Sequence, residues 1–340
     1  MLHAGSYGAV GQTFSATKSG LTFSGAPGEA KPALLGRYET RATAVRWTGL
    51  LFDGPTGNVG GNGCNGEDGL LWFTSDADGG RVDHSEIRNS RGHFGVYVQA
   101  DVEIDHDWIH DNGCFGEAST ANLDHGIYWS SGSGEIHDNL IERSYAYGIQ
   151  LYPSPNGVSV RHNTIVGSGG RGGIIVANAA ANNVIANNII AQNPTTGITT
   201  SSLTGAGNVV RKNLIYGNLE GAFGSTSGLT IIGPTIAQDP LFVSNTNFHL
   251  QPGSPATDAA EVVYATTTDL DDVLRGPGAF ADLGAYELPG MTTPTCPSGV
   301  RPWRRHRRRS PCTMASTALS RCRPRGRARH ARAARACRRR

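Results

Sequence analysis

Asp124 and His125 stand side by side in the stretch NLDHGIYWSSGSG (122–134), just ahead of a glycine and a run of alternating apolar and polar residues. A carboxylate beside an imidazole holds its tautomer and raises its proton affinity, as general acid–base catalysis requires. The same offset from a glycine recurs along the chain. Immediately before that glycine stand Asp68, Phe94, His125, Tyr147, Gly172 and Thr196, and one place earlier Glu67, His93, Asp124, Ala146, Arg171 and Thr195. Were these positions stacked, the ionisable members would gather in neighbouring layers. His125, Asp124, His93, Tyr128 and Tyr147 are then the candidates for proton transfer. Carboxylates on one rim, Glu67 and Asp68 among them, are alternatively a calcium site. The plainer reading is a histidine that caps a turn among solvated acidic side chains.

A repeat supplies the stacking. The segments VDHSEI (82–87), IDHDWI (104–109), IHDNLI (136–141), VRHNTI (160–165), IANNII (185–190) and VRKNLI (210–215) share one pattern. Their fourth position forms the column Ser85, Asp107, Asn139, Asn163, Asn188, Asn213, with spacings of 22, 32, 24, 25 and 25. Between them, strands follow a glycine at GLLWF (69–73), GVYVQ (95–99), GIYWS (126–130), GIQLY (148–152), GIIVA (173–177) and GITTS (197–201). Two strands per repeat and no helical period predict a coil that stacks on copies of itself. A column of Asn at one turn forms a hydrogen-bonded ladder in such stacks.

Side chains alternate along a strand. The first and third residues after each glycine are expected inward, giving Leu70/Trp72, Val96/Val98, Ile127/Trp129, Ile149/Leu151, Ile174/Val176 and Ile198/Thr200. The outward columns are Leu71, Tyr97, Tyr128, Gln150, Ile175, Thr199 and Phe73, Gln99, Ser130, Tyr152, Ala177, Ser201. Tyr97, Tyr128, Gln150 and Tyr152 then form an exposed stripe whose apolar faces and polar tips suit sugar rings. The chain's longest repeat carries its extra length in HDNGCFGEASTAN (110–122), next to the same layers. Long loops on a rigid scaffold are where function usually sits.

Charge divides the chain in two. Thirty basic residues less the 16 arginines beyond residue 290 leave 14 against 28 acidic ones, a net of −14 for residues 1–290. The arginine-rich tail, 289–340, lacks the apolar content of a core and reads as a disordered segment outside the functional body. An acidic body argues against a nucleic-acid partner. The start, MLHAGSYGAV, carries no signal-peptide pattern, and no stretch is long and apolar enough for a transmembrane helix. Cys64 and Cys114 project from the same side of the repeat, either as a disulfide or as two free thiols.

These repeats resemble the right-handed parallel β-helix, pectate-lyase-like superfamily over about residues 21–250. DPLFVSNTNFHLQPGSPATDAA (239–260) with DLDDVLRGPGAFADLGAYE (269–287) is similar to the closing segment of secreted bacterial β-helix proteins, with Asp272 at a position that is usually glycine. The resemblance implies an all-β, single-stranded right-handed parallel β-helix at 21–234, an entry segment at 1–20, and a cap over the open end at 235–288. It further implies a monomer, secreted or at the cell surface, with a polysaccharide as partner. By analogy of fold, a lyase or C5-epimerase of uronic-acid polymers would use His125 or His93 as base and Tyr128 or Tyr147 as acid. Arg143 or calcium would face the substrate carboxylate, and Tyr97, Gln150 and Tyr152 would hold the chain. The alternative is a non-catalytic glycan-binding or structural protein. A polygalacturonase-type hydrolase is disfavoured, because GHFG (92–95) places Phe94 where a Gly-His-Gly element needs glycine.

Overall fold

The computed structural model describes residues 1–54, 69–91, 93–114, 124–201, 203–276 and 281–288, all within one compact unit spanning residues 1–290. The chain winds into a right-handed β-solenoid whose strands stack in parallel on three faces. The first face holds Leu71–Phe73, Phe94–Val98, the starts of His125–His137 and Tyr147–Arg161, Gly172–Val176 and Thr196–Thr200. The second holds Gly80–Asp83, Val102–Asp105, the ends of the same two long strands, Val184–Ala186 and Asn208–Arg211. The third holds Glu86–Arg88, Trp108–His110, Leu140–Glu142, Thr164–Val166, Ile189–Ala191 and Leu214–Tyr216.

Columns of aliphatic side chains fill the interior. Val82, Ile104, Ile136, Val160, Ile185 and Val210 stack on one side, Ile87, Ile109, Ile141, Ile165, Ile190 and Ile215 on the next. The corner between these two columns explains the hexamer pattern. A single left-handed residue makes the bend (His84 φ 49°, His106 φ 53°, Asp138 φ 54°, His162 φ 51°), a conformation that His, Asn and Asp adopt more readily than most residues. The next residue turns inward and ties layer to layer. Ser85 N–H donates to Asp107 Oδ1 at 2.7 Å, Asp107 N–H to Asn139 Oδ1 at 2.9 Å, and Asn139 N–H to Asn163 Oδ1 at 3.1 Å. The ladder continues through Asn188 to Asn213. A second ladder, which the repeat analysis missed, runs at the corner leading to the first face: Ser90 N–H donates to Asn112 Oδ1, Ser168 N–H to Asn193 Oδ1 and Asn193 N–H to Asn218 Oδ1. It explains the glycine column. A Cβ on Gly126 would lie 2.7 Å from both Gly148 O and Ser144 Oγ.

Four expectations need correction. Leu71, Trp72 and Phe73 pair with Val96, Tyr97 and Val98, so Leu71 and Phe73 point inward and Trp72 points outward, one residue out of step with the expectation. The cause is Phe94: a Cβ on Gly69 would lie 1.9 Å from its ring, so this layer meets the next one residue later than its glycine suggests. Stacking also begins before residue 21, because Ser6–Ala16 pairs in parallel with Ala33–Thr40. The segment after residue 234 is not a lid on the open end. Ile236 pairs with Leu214, and the chain then turns back along the side of the third face. There Phe248, Leu250, Ala256, Leu283 and Ala285 pack on the outward aliphatic residues Leu140, Val166, Ile189, Ala191 and Leu214. Apolar area of that extent is stable only when covered. Last, Arg88, His110 and Glu142 follow the Ile of successive repeats, which by sequence makes a surface charge ladder, yet His110 and Glu142 are buried at 5% and 3% exposure.

The flanking segment is held by charge as well. Arg275, buried, donates to Asp138 Oδ1 at 2.6 Å and to Glu287 at 3.0 Å. His84 Nε2 meets Asp272, His106 Nε2 meets Thr268, and Asn187 bonds both the N–H and the carbonyl of Glu261. The corner histidines are therefore docking points for this segment.

Candidate functional site

The first face places the expected columns together from residue 93 onward. His125 pairs with Phe94 and Tyr147 with Gly172. Backbone bonds stack His93, Asp124 and Ala146: His125 N–H donates to His93 O, and Ala146 N–H to Asp124 O, both at 2.7 Å. Glu67, Asp68 and Cys64 lie outside the described residues. Cys114 is disulfide-bonded. Just before it, Gly113 passes over Asp124 so closely that a Cβ there would sit 2.6 Å from the Asp124 Cβ. Residues 113 and 114, where the insertion enters, thus lie beside Asp124.

The two histidines differ in what they offer. His125 is fully buried, and its Nδ1 accepts the Tyr147 backbone N–H at 3.2 Å. That bond fixes the proton on Nε2, making His125 a neutral donor and taking away the base role expected of it. His93 is half-buried, and its Nδ1 stands 3.7 Å from Asp124 Oδ1, within ion-pair range. That distance is beyond hydrogen-bond range, so the carboxylate favours a proton on Nδ1 electrostatically without fixing the tautomer. Tyr147 lies beside His125, rings 5.7 Å apart, and its hydroxyl is paired with the exposed guanidinium of Arg171. Burial pushes the Tyr147 pKa up despite that guanidinium, and the Tyr128 pKa up to about 12, with Tyr97 and Tyr152 adding to it. Both hydroxyls keep their protons at neutral pH, so both act as acids rather than bases.

Outside this corner runs an aromatic column longer than the stripe expected. Trp72 stacks on Tyr97 at 5.5 Å, Tyr97 on Tyr128 at 5.1 Å, and Tyr128 on Tyr152 at 6.3 Å. Arg37 lies over the Trp72 ring at 4.3 Å, and Gln99 links Trp72 Nε1 to the Tyr97 hydroxyl. Gln150, expected to be exposed, is buried at 8% exposure and hydrogen-bonds Tyr128. It supports the ring instead of facing solvent. Arg143 does not join the site. Its guanidinium is held by Asp111 and Glu142, so its charge is already matched. Two residues escaped the sequence reading. Trp72 was hidden by the one-residue slip, whereas Arg171 stood in the right column but was passed over.

On the second face, Asp105, His106 and His137, and Glu103, Glu135 and His137, lie close enough to share a cation. Arg81 already binds Asp105, and Arg161 binds Glu135. His137 faces Asp138 through Nδ1 and Glu103 through Nε2, and these carboxylates push its pKa up to about 9 in spite of burial. A cation here would have to displace the proton on His137 and the arginines on Asp105 and Glu135. The cluster is a self-neutralised charge network.

Among solved structures, the chain is similar to the alginate lyase from Paenibacillus sp. str. FPU-7, at 17% identity and TM-score 0.45 over 67% of this chain and 83% of that one. It is similar to pectate lyase Pel9A at 14% identity and TM-score 0.47, over 82% and 86%. A third is the Dettilon tailspike protein (gp208), at 14% identity and TM-score 0.34, over 66% and 61%. No curated protein sequence matches significantly. No helix among the described residues is long and apolar enough to cross a membrane. From residue 56 to residue 239, more than half its length, the chain matches the family profile described as periplasmic copper-binding protein (NosD), and it belongs to that family of right-handed β-helix proteins.

Proposed function

We propose that this is a polysaccharide-binding β-helix protein of the periplasm or cell exterior, gripping an extended glycan along Trp72, Tyr97, Tyr128 and Tyr152. The observation that carries this reading is the aromatic column itself. Each ring offers an apolar face and a polar edge along successive layers about 4.8 Å apart. Arg171 adds an exposed positive charge beside it, which suits a chain bearing carboxylates within an otherwise acidic body, whereas Arg37 over Trp72 is paired with Glu39 at 3.0 Å.

A second reading, proton abstraction at C5 of a uronate by a lyase or epimerase, is favoured by the corner beside the column. His93, beside Asp124, serves as the base; the neutral Tyr147 hydroxyl serves as the acid; and Arg171 faces the substrate carboxylate. His125 positions Tyr147 by accepting its backbone N–H. Calcium at Glu67 and Asp68 remains a proposal for the same rim.

The copper named in the family description does not fit the described side chains as the soft cuprous ion, whereas a cupric ion would find imidazole and carboxylate ligands among them only in the groups around His137. Cuprous ion favours thiolate and thioether ligands; Cys114 is in a disulfide and Met1 is the sole methionine among the described residues. The histidine–carboxylate clusters are matched by arginines and protons instead.

Incubating the full chain with polygalacturonate, alginate and glycosaminoglycans, with and without calcium, separates the readings. Retention on one polymer that Trp72→Ala weakens supports gripping, whereas retention unchanged by Trp72→Ala removes it. A rise in ultraviolet absorbance from unsaturated uronate ends, lost in His93→Ala, establishes a lyase. A flat trace together with unchanged C5 configuration by NMR removes the catalytic reading.

A further inference from the structure

The third face carries a second concavity, on the opposite flank from the aromatic column. Its outward residues change character along the solenoid. In the later layers they are aliphatic and covered by the returning segment. In the earlier layers the same positions hold Glu86, Trp108, Arg88 and His110, and the segment lifts away from them. The gap is a cleft of about 560 Å³ lined on the solenoid side by Lys31, His84, Trp108 and Glu142, and on the segment side by Asn247 and Tyr286. That size falls among small-ligand sites.

The lining is built for a specific chemistry. One face of the Trp108 indole stacks on His110 at 4.0 Å, and its Nε1 donates to Glu142 at 2.7 Å. The ring is thereby fixed while remaining 38% exposed, a preformed platform for an apolar ring face. Across the cleft, His249 stacks on Tyr286 at 4.0 Å and is held by Asp271 at 2.7 Å. The histidines at the cleft have partners on both nitrogens: carboxylates at His84, a carboxylate and a hydroxyl at His106, and a carboxylate and an amide oxygen at His249. Lys31 differs: no direct ion pair holds it among the described residues, although desolvation pulls its pKa below the ordinary lysine value while Asp107 and Glu86 favour its charge. Glu142 in the lining already accepts the Trp108 Nε1–H, so one cation without a direct ion pair, one fixed indole and amide and hydroxyl groups on the facing wall suit a ring that carries a single negative charge.

We propose that this cleft is a binding site for a single acidic pyranose, its ring against Trp108 and its carboxylate at Lys31. The proposal goes beyond the glycan grip on the first face and does not rest on it. The cleft is closed on one side by the returning segment, so it takes a free sugar or a chain end, whereas the open aromatic column takes the middle of a chain.

The test is calorimetric titration of the full chain with galacturonate, galactose and acetate. Galacturonate is expected to bind, with galactose and acetate each about tenfold or more weaker, since each lacks one of the two contacts. Lys31→Ala is expected to remove the preference for galacturonate over galactose, and Trp108→Ala the preference over acetate. Lys31 is exposed, so its variant keeps the fold even where Trp108→Ala disturbs it. Trp72→Ala is expected to leave galacturonate binding unchanged while weakening polymer retention, so failure of one reading does not look like failure of the other. No heat with galacturonate, equal binding of all three probes, or binding indifferent to Lys31→Ala overturns the proposal.

Discussion

The first and third faces of this solenoid are built from the same repeat, yet their outer surfaces have opposite fates. On the third face the outward positions Leu140, Val166, Ile189, Ala191 and Leu214 are aliphatic, and the chain returns to cover them with its own segment. On the first face the outward positions Trp72, Tyr97 and Tyr128 are aromatic with polar edges, and they are left half-exposed. Aliphatic side chains offer nothing to water and must be buried by the chain; rings with hydroxyl or N–H edges tolerate solvent and keep a face for a ligand. The outer columns thus separate a surface for the protein itself from a surface for a partner. The cleft at Trp108 stands at the boundary between the two.

The comparison breaks most visibly at the covered face. Leu283 is fully buried between the returning segment and the third sheet. Leu283→Ala is expected to cost about 3 kcal/mol, as buried leucine truncations do, seen as a lower denaturation midpoint. The same change at exposed Leu219 is expected to cost almost nothing. Equal effects at the two positions would mean that the segment is not part of the cooperative fold.

The charges beneath that segment give the next effect, a pH dependence. His137, pushed up to about 9 by Asp138 and Glu103, contributes stability that is complete below its ordinary value of 6.5 and lost as pH rises toward 9. Asp138, held down to about 2 by His137 and Arg275 against burial, contributes stability present above 3.8 and lost only as pH falls toward 2. His162, buried and pushed well below 6.5, favours its neutral form and destabilises the fold as pH falls below 6.5. Asp282, raised to about 6 by burial, works against stability as pH climbs from 3.8 to 6. The midpoint is therefore expected to peak near pH 6.5 and fall toward pH 9. His84, raised to about 9 by Asp83 and Asp272, contributes to the same alkaline fall, so His137→Asn should reduce it without abolishing it, by on the order of 2 kcal/mol. An unchanged alkaline limb in thermal melts of this variant would show that the His137–Asp138 pair does not hold the segment.

On the first face the expected effect is on binding rather than on folding. Trp72→Ala should weaken polymer retention about tenfold, or about 1.4 kcal/mol, while shifting the denaturation midpoint little, because Trp72 is half-exposed. A large loss of stability with unchanged retention would reverse the distinction drawn between the two faces.

How much of this was legible in the sequence follows from which side chains had to repeat. The inward columns and the Asn ladder were readable because every layer must satisfy the same core and the same corner. The second ladder was harder to see, since its rungs mix serine (Ser90, Ser168) with asparagine (Asn112, Asn193, Asn218) and no single residue type marks it. The one-residue slip at Trp72 was invisible, because Gly69 looks like the other column glycines until the Phe94 ring is placed over it. The role expected of His125 depended on its tautomer, which one backbone N–H decides. Arg143 looked available because the sequence does not reveal that Asp111 sits within reach of its guanidinium. The returning segment was recognised, but the face it covers depends on the outer side chains of layers far away in sequence.

The smallest expected effect lies within the ladder. From Asn139 onward each rung is Asn, whose amide both accepts from the layer before and donates onward: Asn163 Nδ2 donates to Ile136 O at 2.8 Å and to Asn188 Oδ1 at 3.0 Å. Asp107 occupies the same place with a carboxyl group. Its Oδ1 accepts the Ser85 N–H, but its Oδ2, where the amide nitrogen would be, has no hydrogen-bond partner. Burial, with Asp105 and Asp83 adding repulsion, pushes its pKa well above the ordinary value, so ionising Asp107 costs more in the folded chain than in the unfolded one. A raised carboxyl pKa stabilises the fold at low pH and loses that contribution as pH rises above 3.8, where the unfolded chain ionises. Asp107→Asn supplies the missing donor with no charge to bury. The variant and the parent are expected to melt together near pH 4 and to diverge as pH rises, the variant gaining about 1 kcal/mol by pH 7. A variant that is less stable at both pH values would mean that the carboxyl group is engaged as an anion, and that the early layers are not the weaker part of the ladder.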